Sequence, residues 1–205
     1  LGKRKDYGKA NYRIHNIPFV VLGASLLLFG WFGFNAGSAL KADGLAIHAF
    51  ATTAISAASG MLSWMMMDIL MAEKPTLVGC VTGLVVGLVA ITPGAGFVPV
   101  WASLIIGFVG STICYFMISK VKQKFDYDDA LDAFGCHGIG GMFGGIMTGI
   151  FATPALAPEK GYAGLIYGSG KLLLANVSAV VFTVIFTALV SWIIIKVIAL
   201  FMPIR

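Results

Sequence analysis

Charged side chains come in short bursts along this chain, and the stretches between them are apolar. No Lys, Arg, Asp or Glu lies between Arg13 and Lys41, Asp43 and Asp68, Lys74 and Lys120, Asp132 and Glu159, or Lys171 and Lys196. Each window can hold about 20 apolar residues, the length at which a helix crosses a bilayer. The window from Lys74 to Lys120 is longer and is interrupted at Thr92–Pro99 by TPGAGFVP, whose prolines and glycines read as a turn. The pattern predicts six helical spans, at about 17–39, 45–70, 77–91, 99–119, 130–152 and 172–198. The third is short for a full crossing. No stretch alternates with the period of two that barrel strands need, whereas a helix satisfies its own backbone groups in lipid.

Composition agrees with the pattern. Of 205 residues, 59% are hydrophobic and 11% charged, against about 25% charged in soluble domains. So much apolar surface cannot be hidden in one water-soluble core, which makes this an all-α integral membrane protein embedded in a lipid bilayer. The net charge of +5 is not a nucleic-acid signal, because the cations sort by side. Six crossings put both termini on one face with Lys3, Arg4, Lys5, Lys9, Arg13, Lys74, Lys120, Lys122, Lys124, Lys196 and Arg205; only Lys41, Lys160 and Lys171 fall on the other. The bias predicts cytoplasmic termini. Cys80, Cys114 and Cys136 lie within spans without metal-ligand spacing and read as small packing residues, so neither metal nor cofactor is expected. The opening LGKRKDYGK has no apolar core and cleavage site behind it, so no cleavable signal is read.

Two spans carry candidate chemistry. In the first, Leu27, Trp31, Phe34 and Ser38 are spaced four, three and four, which makes one helical stripe, aliphatic, then aromatic, then polar. Aromatics on such stripes also face lipid. Gly30, Gly33 and Gly37 beside it predict close helix contact, and Asn35 needs a polar partner. The fifth span, DAFGCHGIGGMFGGIMTGIF, has glycines at 135, 138, 140, 141, 144, 145 and 149. Each costs about 1 kcal/mol of helix propensity relative to alanine, which predicts compensation by close packing. Asp128 and Asp129 ahead of it read as capping carboxylates.

His137 sits within that span, on a face with Ala133 and Gly141. An ionisable group at this depth should face protein or a cavity. A neutral imidazole has one donor and one acceptor nitrogen, which suits a proton relay or a small polar guest; a packed histidine bonded to a carbonyl is the plainer alternative. His15 reads as interfacial and His48 as a satisfied polar contact. Asp68 reads as a snorkelling or capping group, and Ser59-Gly60 carries no motif.

GWFGFNAGSA, followed about 95 residues later by DAFGCHGIGGMFGGIMTGIFA, resembles the ammonium transporter family (Amt/Mep, with the Rh proteins as distant relatives). HNIPFVVLGA, LVAITPGAGFV and DYDDALD fall in the matching order, and the resemblance runs over all 205 residues. It implies the end of the fifth helix followed by helices six to eleven of an eleven-helix fold. Residues 1–16 would be a cytoplasmic loop segment, 17–152 the second five-helix inverted repeat, 153–171 an extracellular loop, and 172–205 the last transmembrane helix with a shortened cytoplasmic end. By the same resemblance, Trp31 and Ser38 belong to an outer vestibule that recruits ammonium. Phe34 is a gate, and Leu27, Ala133, Thr92 and His137 line a hydrophobic pore through which ammonia passes after deprotonation. Asn35 and Asp129 are structural near the pore. The partner histidine and second gating phenylalanine belong to the N-terminal half of the family fold, so completion by that half, as a second segment or chain, is expected. The family also implies a homotrimer in the plasma membrane. Contact with a PII signal protein is disfavoured by the end at MPIR. Two other classes stay open: an ammonium-sensing or assembly module without transport, and a rhomboid-like intramembrane serine protease, for which Ser38 and Ser59 lack the full motif.

Overall fold

The computed structural model describes residues 2–5, 7–8, 14–72, 74–156 and 162–204. Lys9, Arg13, Lys160 and Arg205, part of the charge count above, lie outside the described residues. The elements are α1 (Ile17–Gly37), α2 (Gly44–Ala72), α3 (Leu77–Ile91), α4 (Val100–Phe116), a π turn (Met117–Val121) running into α5 (Lys122–Phe125), a second π turn (Phe134–Ile139) running into α6 (Gly140–Phe151), and α7 (Lys171–Phe201). Among the described residues, four stretches are long and apolar enough to cross a membrane: Ile17–Gly37, Gly44–Met71, Val100–Phe125 and Lys171–Phe201.

Local chemistry sets the helix starts. The Asn16 side chain accepts from Phe19 N, with proline in the first turn of α1. Asp43 accepts from Leu45 N and Ala46 N at the start of α2. Those amides, Ala46 foremost, and Lys41 hold its carboxyl below the usual range. The ionised form is therefore the stabilising one, and its contribution is lost as pH falls through that lowered value. Thr76 caps α3 by accepting from Gly79 N, and is itself held by Asp68, whose carboxylate accepts from Thr76 N at 3.0 Å and Thr76 Oγ1 at 3.1 Å. Asp68 is buried, so its expected capping role becomes a clamp on the α2–α3 turn.

The fifth span starts later than expected, at Phe134 rather than near 130. Asp132 takes a left-handed φ of 54°, and Asp129 stands outside the helix, accepting from Ala133 N and Phe134 N. The fourth span continues past 119 to Phe125, where Asp126 at φ 50° ends it.

Helices α2, α3 and α4 meet backbone to backbone. A Cβ at Gly87 or Gly107 would overlap the Ser56 carbonyl, and one at Gly83 would sit 2.6 Å from Gly60 O. Serines of the same helices donate across them: Ser56 to Gly87 O, Ser59 to Leu104 O, Ser63 to Phe108 O and Ser111 to Gly60 O, at 2.6–2.8 Å. Ser59-Gly60 thus belongs to packing. Cys114 and Cys136 are buried in a cluster with Trp64, Met67, Val86 and Tyr115, as expected of packing residues.

The glycines of α6 divide. Gly144 lies against the Ala90 carbonyl of α3, Gly140 against Val89 and Cys114, and Gly149 and Gly145 against Leu173 and Val180 of α7; Gly141 faces open space. Asn176 of α7 donates to Gly145 O. The expected close contact at Gly30, Gly33 and Gly37 is not made among the described residues: a Cβ at any of them would meet nothing within 4 Å. Helix α1 instead docks on α2 and α3 through Phe32, stacked 4.0 Å from Phe50, through Asn35 and through Trp31. These anchors leave its glycine face open.

Because Gly144 touches a carbonyl and Gly141 touches nothing, their alanine variants should part. Gly144→Ala is expected to cost about 1–3 kcal/mol and lower the thermal midpoint of the purified protein, while Gly141→Ala leaves it unchanged or slightly raised. Equal melting of the two variants would contradict this packing.

Candidate functional site

The stripe on α1 is the side of the helix left open. Gly23, Leu26, Leu27, Gly30, Trp31 and Phe34 line a groove of about 630 Å³. Beyond Phe34, a second concavity of about 250 Å³ is walled by Phe34, Asn35, Ser38, Thr92 and Phe97 among others. Phe34 therefore divides two hollows, with Leu27 and Trp31 on one side and Ser38 on the other. Phe34 is 62% exposed, a large apolar residue that the described residues leave mostly uncovered.

Trp31 ties three helices together. Its indole Nε1 donates to Thr92 Oγ1 at 2.8 Å, and Thr92 donates onward to Leu88 O at 2.7 Å. The indole meets Phe34 edge-on, with centroids 6.1 Å apart, and stacks on the His137 imidazole at 6.4 Å and 25°. The hydroxyl of Ser38 donates to Phe34 O one turn back, and the residue lines the smaller hollow. Trp31 and Ser38, expected together in one vestibule, thus lie on opposite sides of Phe34. The ring of Trp31 packs toward His137.

His137 reaches this position from a π turn. Residues Phe134–Ile139 bond with the wider i to i+5 spacing, which inserts one residue into the helix. Two backbone donors at its start, Ala133 N and Phe134 N, are held by Asp129 at 3.0 and 2.9 Å. Cys136 and Gly135 point into the bundle and are buried, while Ala133 and His137 are exposed on the open side. The sequence carried no sign of the π turn beyond its glycines, which tolerate irregular helix.

The remaining candidates are accounted for by ordinary bonds. Asn35 Nδ2 donates to Thr53 Oγ1 at 3.0 Å, the polar partner its depth required. His48 Nε2 donates to Val98 O at 2.8 Å, at the end of the TPGAGFVP turn. That turn also supplies Thr92, expected at the pore, together with Ala95, Gly96 and Phe97, to the smaller hollow. Neither Ser38 nor Ser59 donates to a histidine, so no serine–histidine pair of a protease is assembled from them.

Comparison with known proteins gives this geometry a context. The model of the Ammonium Transporter Family matches residues 1–205. An ammonium transporter of Bacillus subtilis (strain 168) is 49% identical over 205 residues, which is 100% of this chain and 50% of the relative. An ammonium transporter of Aquifex aeolicus (strain VF5) is 46% identical over 197 residues, 96% of this chain and 45% of the relative. Among solved structures, Saccharomyces cerevisiae Mep2 superposes with a TM-score of 0.89 at 36% identity, over 99% of this chain and 48% of the other. A structure titled Sensor Amt Protein matches at 0.74 and 27% identity, over 88% and 43%. The chain spans about half the length of these relatives. By sequence along its whole length and by fold, it belongs to the ammonium transporter family.

Proposed function

We propose that this chain forms one wall of an ammonium-conducting pore, running past Ser38, Phe34, Trp31 and His137, and that a further segment of the family's length supplies the other wall. The observation that supports it best is the order of groups along the open face: a hydroxyl, an uncovered phenyl ring, then an indole stacked on an imidazole. On this reading both ends of the chain are cytoplasmic, the membrane is the plasma membrane, and the complete protein is a trimer.

The chemistry follows from what each group offers. Ammonium brings four N–H donors, and Ser38 Oγ has lone pairs left to accept one. A bare cation cannot pass a dry apolar channel without a large desolvation penalty. Deprotonation near Phe34, with the proton returned to water on the outer side, removes that penalty, because neutral ammonia loses far less hydration. Past the ring, His137 gives ammonia one acceptor and one donor, while Leu27 and Ala133 leave the rest of the wall apolar. Potassium has no proton to lose, so it is excluded. Trp31 is assigned here to the wall between gate and histidine and not to recruitment, since its N–H is committed to Thr92 and one face lies against His137. Asp129 holds the helix start that carries the histidine.

The second reading is binding without flux, favoured by the match to a structure titled as a sensor. Ammonium uptake by the complete protein in liposomes, followed as the internal pH change, separates the two: binding with no uptake would select the sensor.

In a conducting protein, His137→Ala is expected to abolish or strongly alter flux with assembly intact, and unchanged flux would remove His137 from the pore. A double-mutant cycle tests the wall. Thr92→Val leaves the Trp31 N–H unpaired, at about 1–3 kcal/mol of stability, and should add little once Trp31→Phe has removed that donor. Additive losses in melting free energy would contradict the bond.

A further inference from the structure

The seven residues Asp126–Asp132 between α5 and α6 contain four carboxylates, Asp126, Asp128, Asp129 and Asp132. Lys122 serves two parts of that loop, donating to Asp129 O and to Asp132 Oδ1, both at 2.6 Å. The other cations that pair with it come from the far end of the sequence. Lys3 pairs with Asp126. Arg4 takes Asp128 three ways: its backbone N donates to Oδ2 at 2.7 Å, Nε to Oδ2 at 3.1 Å, and a terminal guanidinium nitrogen lies 3.0 Å from Oδ1. Tyr7 donates to Tyr127 O at 3.2 Å, and its ring lies under the Lys3 ammonium at 4.9 Å. The Asp128 side chain is only 6% exposed. This pair therefore differs from a solvated surface bridge, and removing Arg4 would strand a buried charge.

The loop is also the base of the π turn. Tyr127 packs edge-on against Phe134, with centroids 6.1 Å apart. Asp129, next in sequence to Asp128, holds Ala133 N and Phe134 N. Three residues further on is His137. Arg4 thus reaches His137 through two short covalent links and two carboxylates.

We propose that Arg4 and Asp128 form a latch that positions His137, by fixing the loop whose Asp129 and Tyr127 seat the first turn of its helix. Arg4 is a positioning residue: it lies ahead of α1, outside the pore wall, and acts through the loop. Lys3 and Tyr7 are its auxiliary contacts. The functional half of the proposal rests on the transport reading above; the structural half does not.

The test uses the complete transporter carrying Arg4→Gln, Arg4→Lys, and the exchanged pair Arg4→Asp with Asp128→Arg. Hydrogen exchange of amides 133–139 is expected to quicken at least tenfold in Arg4→Gln while amides 79–90 stay at wild-type rates. Arg4→Lys should give an intermediate value, because an ammonium keeps the charge without the fork. The exchanged pair should recover protection in part. Maximal ammonium flux of Arg4→Gln should fall several-fold, with the half-saturating concentration within twofold of wild type, because the Ser38 end is untouched. Wild-type exchange at 133–139 in Arg4→Gln would overturn the latch, and so would uniform acceleration across all helices, which marks a global loss of stability. Local acceleration with wild-type flux would overturn the positioning role. If wild type itself carries no flux, the transport reading falls and the exchange rates still decide the latch.

Discussion

The bundle depends on backbones coming into contact where no side chain intervenes. Between helices in lipid there is no hydrophobic drive to association, because the tails are as apolar as the side chains. What remains is dispersion at short range and hydrogen bonds to carbonyls. The α2–α3–α4 unit uses both at the same places: Gly60, Gly83, Gly87 and Gly107 remove the Cβ, and Ser56, Ser59, Ser63 and Ser111 reach carbonyls of the neighbouring helix. Leu or Val at those glycines would hold the helices apart and leave the serines without acceptors. Everything at the site is mounted on this unit. Thr92 is the end of α3, Thr53 belongs to α2, and α6 leans on α3 at Ala90.

Against that rigid unit, α1 and α7 are held at few points. Helix α1 buries only Ala24 and α7 buries no residue. The α1 anchors are directional bonds and rings, Asn35 to Thr53, Trp31 to Thr92 and Phe32 on Phe50, which fix its rotation more than they add buried area. Rotation is what matters for the stripe, because turning α1 by one residue would move Phe34 and Ser38 off the open side together.

The sequence was readable wherever the information was local. Charge-free windows placed the long helices, and α1 and α3 start where Asn16 and Thr76 mark them. The stripe of Leu27, Trp31, Phe34 and Ser38 followed from helical spacing alone. What spacing could not supply was the partner. Gly30, Gly33 and Gly37 mark a face that something can approach closely, and none of the described residues does. Asp128 read as a cap because its neighbours were local, whereas its partner Arg4 stands 124 residues away. Trp31 read as a recruiter by likeness, and the bond of its indole N–H to Thr92, 61 residues away, could not be read from spacing. The late start of the fifth span had the same origin: Asp129 and Asp132 are helix-compatible as residue types, and the cap and the positive φ became visible only in three dimensions.

The π turn at Phe134–Ile139 has a consequence for how the histidine face can change. One residue corresponds to about 100° of rotation in an α-helix. The wider turn takes up one extra residue without turning the helix further, so the segments on either side of it face as they would in a regular helix one residue shorter. Deleting a single residue there would restore a regular helix and keep Ala133 and the acidic loop on their present side, while changing which side chain stands where His137 now stands. The place of the imidazole on the open face is thus a matter of residue count within this turn.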